Sequence, residues 1–430
     1  MKQPLYKSTA IRAAAALLIL TPLIFLSSCQ DVRKQTITWT EFEPVYMSHE
    51  EFMNSVKLET PRDLENPGKI YFYNGYLFVN EIDKGIHIFD NRDPSNPLQQ
   101  GFIQIPANKD LAIRNDLLYA DSQKDLLVFD ISNLDQPELI HREEDVFKTM
   151  ANHPPGFTTQ QVDPSQGLVV GWREVHREEI CEGSCHSHPA SGFRVLTAMD
   201  SASSFGGGSQ TGTGGSMARF TITGEHLYAV DWNNLFTFDI SAPAAQKVNM
   251  QHVGWMIETI FPYNENLFIG SANAMYIYDI SQPSVPKQLS IFRHATACDP
   301  VVVEGNYAYV TLRDGEHCPN ITGTNQLEVI NVENLHNPKR IGLYKMLKPH
   351  GLGIDQGRLF VSEGEYGLKV MDASDPYNIK ELRHIKDIET FDVIPLDGVL
   401  MITGQSGIFQ YDYSDINDLK LLSTIPVYND

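Results

Sequence analysis

Seven short segments of this chain share one form, and the interval between them restricts the fold more than any other feature of the sequence. Each is an apolar, strand-like run closed by Asp or Asn and followed by a polar turn. They are Ile86–Asp90, Leu126–Asp130, Leu235–Asp239, Met275–Asp279, Leu327–Asn331, Leu368–Asp372 and Ile408–Asp412. The closing residues stand 40 apart from Asp90 to Asp130 and from Asp239 to Asp279. They stand 52 apart from Asp279 to Asn331, then 41 and 40 apart on to Asp372 and Asp412. Such a period belongs to a supersecondary unit repeated in an array.

The repeat extends beyond the five residues. Pro97, Pro137, Pro286 and Pro338 each follow an anchor by seven positions, where a fixed φ and a missing donor end one strand before the next. Upstream of the anchors lie second strands such as Tyr76–Val79, Tyr307–Val310 and Leu359–Val361. Tight turns precede these strands: Asn74-Gly75, Asn115-Asp116, Gly305-Asn306 and Gln356-Gly357 tolerate the positive φ of a two-residue hairpin. With a strand before each turn and one after each proline, the unit is four antiparallel strands in about 40 residues. That is the blade of a β-propeller, whose two faces are buried by radial stacking. The fold class expected is all-β.

The interval from Asp130 to Asp239 is 109 residues and exceeds two periods. It holds two hairpin patterns, 159–175 and 219–230, so about eight four-stranded blades are expected, with seven as the alternative. An insertion at about 176–216 interrupts the earlier of the two. Residues 61–430 form the expected propeller. The stretch 29–60 reads as a tether, in which 36–60 is expected to supply a closing strand against 421–427.

The pentads, above all Leu127-Val-Phe-Asp-Ile-Ser132 and Tyr276-Ile-Tyr-Asp-Ile-Ser281, resemble the LVIVD repeat family. The resemblance covers roughly residues 66–428. Pro44–Met47, Asn66–Ile70, Gly214–Phe220, Cys298–Val301 and Pro349–Gly353 are similar to stretches of the lipoprotein branch of that family found in Bacteroidota. A β-propeller in the cell envelope is what the resemblance implies, and it brings no activity to named residues. Asn331, Ala373 and Tyr413 depart from the Asp-Ile-Ser form.

The amino-terminal end points to the same compartment. Lys2, Lys7 and Arg12 precede the apolar run Ala13–Leu26, which has the length of an export signal and falls short of a comfortable membrane span. Leu26-Ser27-Ser28-Cys29 resembles a lipobox, so residues 1–28 are expected to be removed and Cys29 lipidated. The outer membrane is the expected location, with the membrane held by the lipid alone. A formal charge of −21 makes nucleic acid a poor partner.

Four further cysteines, Cys181, Cys185, Cys298 and Cys318, permit two disulfides in an exported chain, with Cys181–Cys185 and Cys298–Cys318 the favoured pairs. The alternative at the first pair is a zinc or copper site of Cys181, Cys185, His186 and His188. No cofactor is otherwise expected. The glycine-rich run 206–215 lacks the Lys and helix signal of a phosphate loop and reads as a flexible part of the insertion.

Aligned on their second strands, the repeats place Lys69, Asp110, Arg219, Glu258, Asp299, His350 and Asp392 where the innermost strands begin. These positions ring one mouth of the channel and are the ligand-binding candidates; the alternative is that they solvate the funnel or bind backbone amides at strand entries. The expected function is a binding or interaction scaffold for an unknown protein, peptide or glycan. Alternatives are a structural envelope subunit, or a propeller hydrolase or lyase with His350 and a carboxylate at the mouth. An enzyme would show a perturbed histidine or a metal there, whereas a binding module would show an exposed aromatic or polar platform.

Overall fold

The computed structural model describes residues 34–147, 162–182, 211–295, 300–314 and 323–428. The chain divides into two compact units, residues 1–41 with 175–192 and residues 42–174 with 193–430. In the first, Arg177 Nε donates to Glu41 Oε2 at 3.1 Å across paired strands. The second unit is the propeller.

Seven sheets of the second unit share one plan: four antiparallel strands in chain order from the inside outward. Blades 1 to 7 span 67–104, 111–143, 220–252, 257–293, 301–345, 352–385 and 392–426. Inner strands of successive blades lie side by side, and the inner strand of blade 1 meets Val399–Gly404 of blade 7 to complete the ring. Both faces of each blade are therefore covered, and cores such as Ile70, Leu77, Val79, Ile394, Met401 and Ile408 are shared between neighbours.

The periodic residues owe their positions to three local devices. The inner hairpins turn through positive φ, as at Asn74 (48°), Asn115 (51°) and Gln356 (50°). Each anchor side chain accepts the backbone N–H two residues on, from Arg92 at Asp90 to Ser414 at Asp412, forming an Asx turn. Asn331 does the same for Glu333 N at 3.0 Å, so this departure from Asp keeps the turn. A bulge then shifts the register between the third and fourth strands of every blade.

Eight sheets are described in all, but the eighth is a two-stranded ribbon of Lys34–Met47 and Leu168–Glu182. Blades therefore number seven among the described residues, the alternative count of the sequence reading. The 168–182 stretch begins with a blade-like apolar run, Leu168–Val170. Its partner, however, is a strand some 130 residues earlier, and Arg173 Nη2 donates to Glu43 Oε2 at 2.6 Å across that pair. The expected closing strand is also elsewhere. Lys57–Glu59 pairs with Leu98–Gln104 of blade 1, not with blade 7. The link 60–66 explains this: seven residues reach about 23 Å, just enough to cross four strand spacings of ~4.8 Å. Blades 7 and 1 are instead joined by paired side-chain amides of Asn91 and Gln410 at 2.7 and 2.9 Å, and by Tyr428 N donating to Leu64 O at 2.8 Å.

Candidate functional site at the channel mouth

The mouth is built from links that enter the inner strands and from loops joining second to third strands. Lys69 and Asp110 lie there, both buried, with Lys69 Nζ donating to Asp110 Oδ2 at 2.7 Å. The same oxygen accepts Arg219 N at 2.6 Å and Phe220 N at 2.9 Å, while Oδ1 accepts Leu111 N at 2.7 Å. Asp110 thus fixes the start of blade 3 to the start of blade 2. Behind it, Asp121 accepts Lys109 N and Asp110 N at 2.9 and 2.7 Å. Burial above all, with the nearby Asp110 charge, pushes the Asp121 carboxyl up to about 6 despite these donors.

Asp392 is used similarly. Its Oδ1 accepts Ser216 Oγ at 3.1 Å, and Ser216 Oγ in turn accepts Leu352 N at 2.8 Å. Gly351 permits this approach, because a Cβ there would lie 2.0 Å from Asp392 Oδ1. Ser216 belongs to a segment that crosses the inner ends of the blades. Gly212 N donates to Ile113 O at 3.0 Å in blade 2, and Thr213-Gly214 pair with Phe72 and Tyr71 in blade 1. Ser216 then bridges blades 6 and 7, and Ala218 O accepts Ile260 N of blade 4 at 2.7 Å. Residues 214–218 are buried. Glycine is required where the segment meets the ring, since a Cβ on Gly212 would lie 2.3 Å from the Tyr71 side chain. The last residues of the glycine-rich run, 211–215, are therefore held in place across the channel mouth.

His350 is buried, its ring edge-on to Phe391 with centroids 5.5 Å apart. Among the described residues its Nε2 has no hydrogen-bond partner, and Gly364 lies against it. Burial foremost, then the charges of Arg313 and Lys348, hold its pKa well below the usual histidine value. The imidazole is thus neutral near pH 7. Among the described residues no carboxylate hydrogen-bonds to its ring, so an acid–base pair with a carboxylate is not assembled there. Glu258 is half-buried on the inner strand of blade 4, and the Arg219 side chain is partly exposed. Asp299, Cys185, His186, His188, Cys298, Cys318 and the Cys181 side chain lie outside the described residues. Among the described residues no cluster of three His, Cys, Asp or Glu could hold a metal.

Two residues missed by the periodic reading stand at the same end of blade 3. Trp232 is 42% exposed and Trp255 is 56% exposed. The backbone holds them near one another. Ile257 N donates to Trp232 O at 2.9 Å, and Val253 N donates to Asn233 O at 2.9 Å. Asp231 Oδ1 stiffens the loop by accepting Asn233 N and Asn234 N at 2.9 and 2.7 Å. The sequence signal was an indole directly after a strand end, where the aligned positions in blades 2 and 6 are Gln123 and Gly364.

Comparison with protein families matches the LVIVD repeat at residues 108–143, 214–249 and 296–316. This is an LVIVD-repeat protein. The first LVIVD match is blade 2 with its entry link. The second begins in the segment that crosses the mouth, and the third contains the inner hairpin of blade 5. No curated protein matches the chain. Among solved structures, the LVIVD propeller is similar to the computationally designed Ika8 protein, at 8% identity and a TM-score of 0.51 over 86% of this chain and 90% of that one. Sqt1 of Saccharomyces cerevisiae gives 10% identity and a TM-score of 0.50, covering 86% and 89%. A functionally unknown protein from Desulfotomaculum acetoxidans gives 11% and 0.50, covering 85% and 100%. At these identities the likeness bears on the fold alone.

Proposed function

We propose that this LVIVD-repeat propeller is a cell-envelope lipoprotein, anchored to the outer membrane through Cys29, that binds a glycan, peptide or protein at its channel mouth. The observation that carries the reading is the exposed pair Trp232 and Trp255 on a hydrogen-bonded frame. Indoles this exposed are unusual in a folded domain, and rigid aromatic side chains on a scaffold are favoured binding anchors. The acids first read as ligand-facing turn inward: Asp110 and Asp392 accept backbone and Ser216 donors. Recognition is accordingly assigned to the outer part of the mouth, around the indoles, rather than to the channel. No cofactor takes part in this reading.

The test is an array of glycans and peptides probed with the purified protein and with Trp232→Ala/Trp255→Ala. Binding by the parent that is lost in the variant, with an unchanged circular dichroism spectrum, supports the assignment. Binding retained by the variant contradicts it.

A further inference from the structure

The outer edge of blade 1 is covered by this chain itself. Lys57–Glu59 adds antiparallel to Leu98–Gln104, with Leu58 opposite Ile103 and Glu59 opposite Phe102. Phe102 is fully buried, and the Arg62 guanidinium lies 4.2 Å from its ring centre. The shared bulge puts the other blades in the same frame. Gly101 faces Ile88, Asn249 faces Thr237, Ser290 faces Ile277 and Gly342 faces Val329. The next residue outward is Phe102 in blade 1, and Met250, Ile291 and Leu343 in blades 3, 4 and 5. Those three are 42%, 39% and 51% exposed. An apolar residue thus recurs where blade 1 receives an added strand, and among the described residues no strand covers it in the other three.

The charge on these edges is opposite to that of the chain. The sequence has 33 Lys and Arg against 54 Asp and Glu. Yet the outer strands of blades 3 to 7 carry Lys and Arg in every blade, all exposed, and Glu381 is their single acid. Blade 5 is the extreme case: Lys339–Lys345 holds Lys339, Arg340 and Lys345 and no acid. Arg340 pairs with Glu328 at 2.8 Å, whereas Lys339 and Lys345 form no ion pair among the described residues. Lysines on an open edge keep two copies of that edge apart. The same charges favour an acidic strand, so they also select the partner.

We propose that Lys339–Lys345 is a docking edge for an extended acidic segment of a partner protein, which adds as a fifth strand to blade 5 and covers Leu343 as Lys57–Glu59 covers Phe102. Backbone hydrogen bonds supply the attachment and the lysines supply the selectivity. This edge is distinct from the mouth, so either surface can fail its test without the other.

The probe is a capped peptide of alternating Glu and Val, with a Lys-Val peptide as control. Binding is followed by fluorescence polarisation, and amide hydrogen exchange is read across Lys339–Lys345. The expected result is binding of the Glu-Val peptide with slowed exchange of the outward amides. Affinity should fall about tenfold or more in Lys339→Glu/Lys345→Glu, whose exposed positions leave the fold intact. Leu343→Asp should weaken binding as well. No binding, equal binding of the Lys-Val peptide, or binding without amide protection on this strand would overturn the proposal. So would capture by anionic lipid vesicles with exchange there unchanged.

Discussion

Ser216 Oγ donates to Asp392 Oδ1 at 3.1 Å, joining a residue that enters blade 3 to the first residue of the inner strand of blade 7. The same hydroxyl accepts Leu352 N from blade 6. One small side chain at the entry to blade 3 therefore ties in blades 6 and 7, whose partner residues lie 136 and 176 residues further along the sequence. Among the described residues no strand is shared between the two ends of the propeller, so this crossing segment, with the Asn91–Gln410 pair and the Tyr428–Leu64 hydrogen bond, closes the ring.

Ser216→Ala removes both hydrogen bonds and leaves a buried carboxylate short of a donor. A loss of about 1–3 kcal/mol is expected in urea unfolding, without change in the denaturant slope. A loss below ~0.5 kcal/mol would mean that the crossing segment does not hold the ring together.

Asp110 gives a larger effect. Asp110→Ala takes the carboxylate partner from the buried Lys69 ammonium and the acceptor from three backbone donors, and should cost about 3–5 kcal/mol. Asp110→Asn combined with Lys69→Met keeps an acceptor for Arg219 N and removes the charge. The double variant should recover most of the loss, which a double-mutant cycle in chemical denaturation will read.

The anchors predict a pair of contrasting outcomes at one position. Asn331→Ala should cost about 0.5–1.5 kcal/mol through loss of the Asx turn to Glu333 N. Asn331→Asp, which restores the residue found in the other six blades, should change stability by less than ~0.5 kcal/mol. Thermal unfolding of both variants distinguishes a role for the side-chain acceptor from a role for the amide itself.

Asp121 predicts a pH dependence of definite sign. Its folded carboxyl lies at about 6, above the usual 3.8, so the folded state binds the proton more tightly than the unfolded chain. Its contribution is fully present below about pH 4 and is lost as the pH rises through about 6. Asp121→Asn should flatten that portion of the stability profile, measured by urea midpoints between pH 4 and 7. An unchanged slope would place the titration elsewhere.

The blades were legible because each device lies within one repeat: a positive-φ turn, an Asx anchor and a proline act over a few residues. Neighbouring elements also bury one another in a fixed order, so the period implied the architecture. What lay outside local pattern was harder to see. The ring positions of Lys69, Asp110 and Asp392 followed from alignment, but their partners Arg219, Phe220 and Ser216 come from another blade's entry segment. Leu168–Val170 has the apolar run of a blade strand, yet its pairing is decided by the distant 34–47 strand. Trp232 and Trp255 carried no periodic signal because each occurs in one blade. The cysteine and histidine cluster of the insertion lies outside the described residues.

The central claim, recognition through the indoles at the mouth, is tested most directly by tryptophan fluorescence. Substituting Trp39→Phe and Trp172→Phe leaves Trp232 and Trp255 as the only emitters among the four tryptophans. The account predicts that any glycan or peptide captured by the array shifts or quenches this emission saturably, with the same dissociation constant as the binding itself. Saturable binding with the emission unchanged would contradict it.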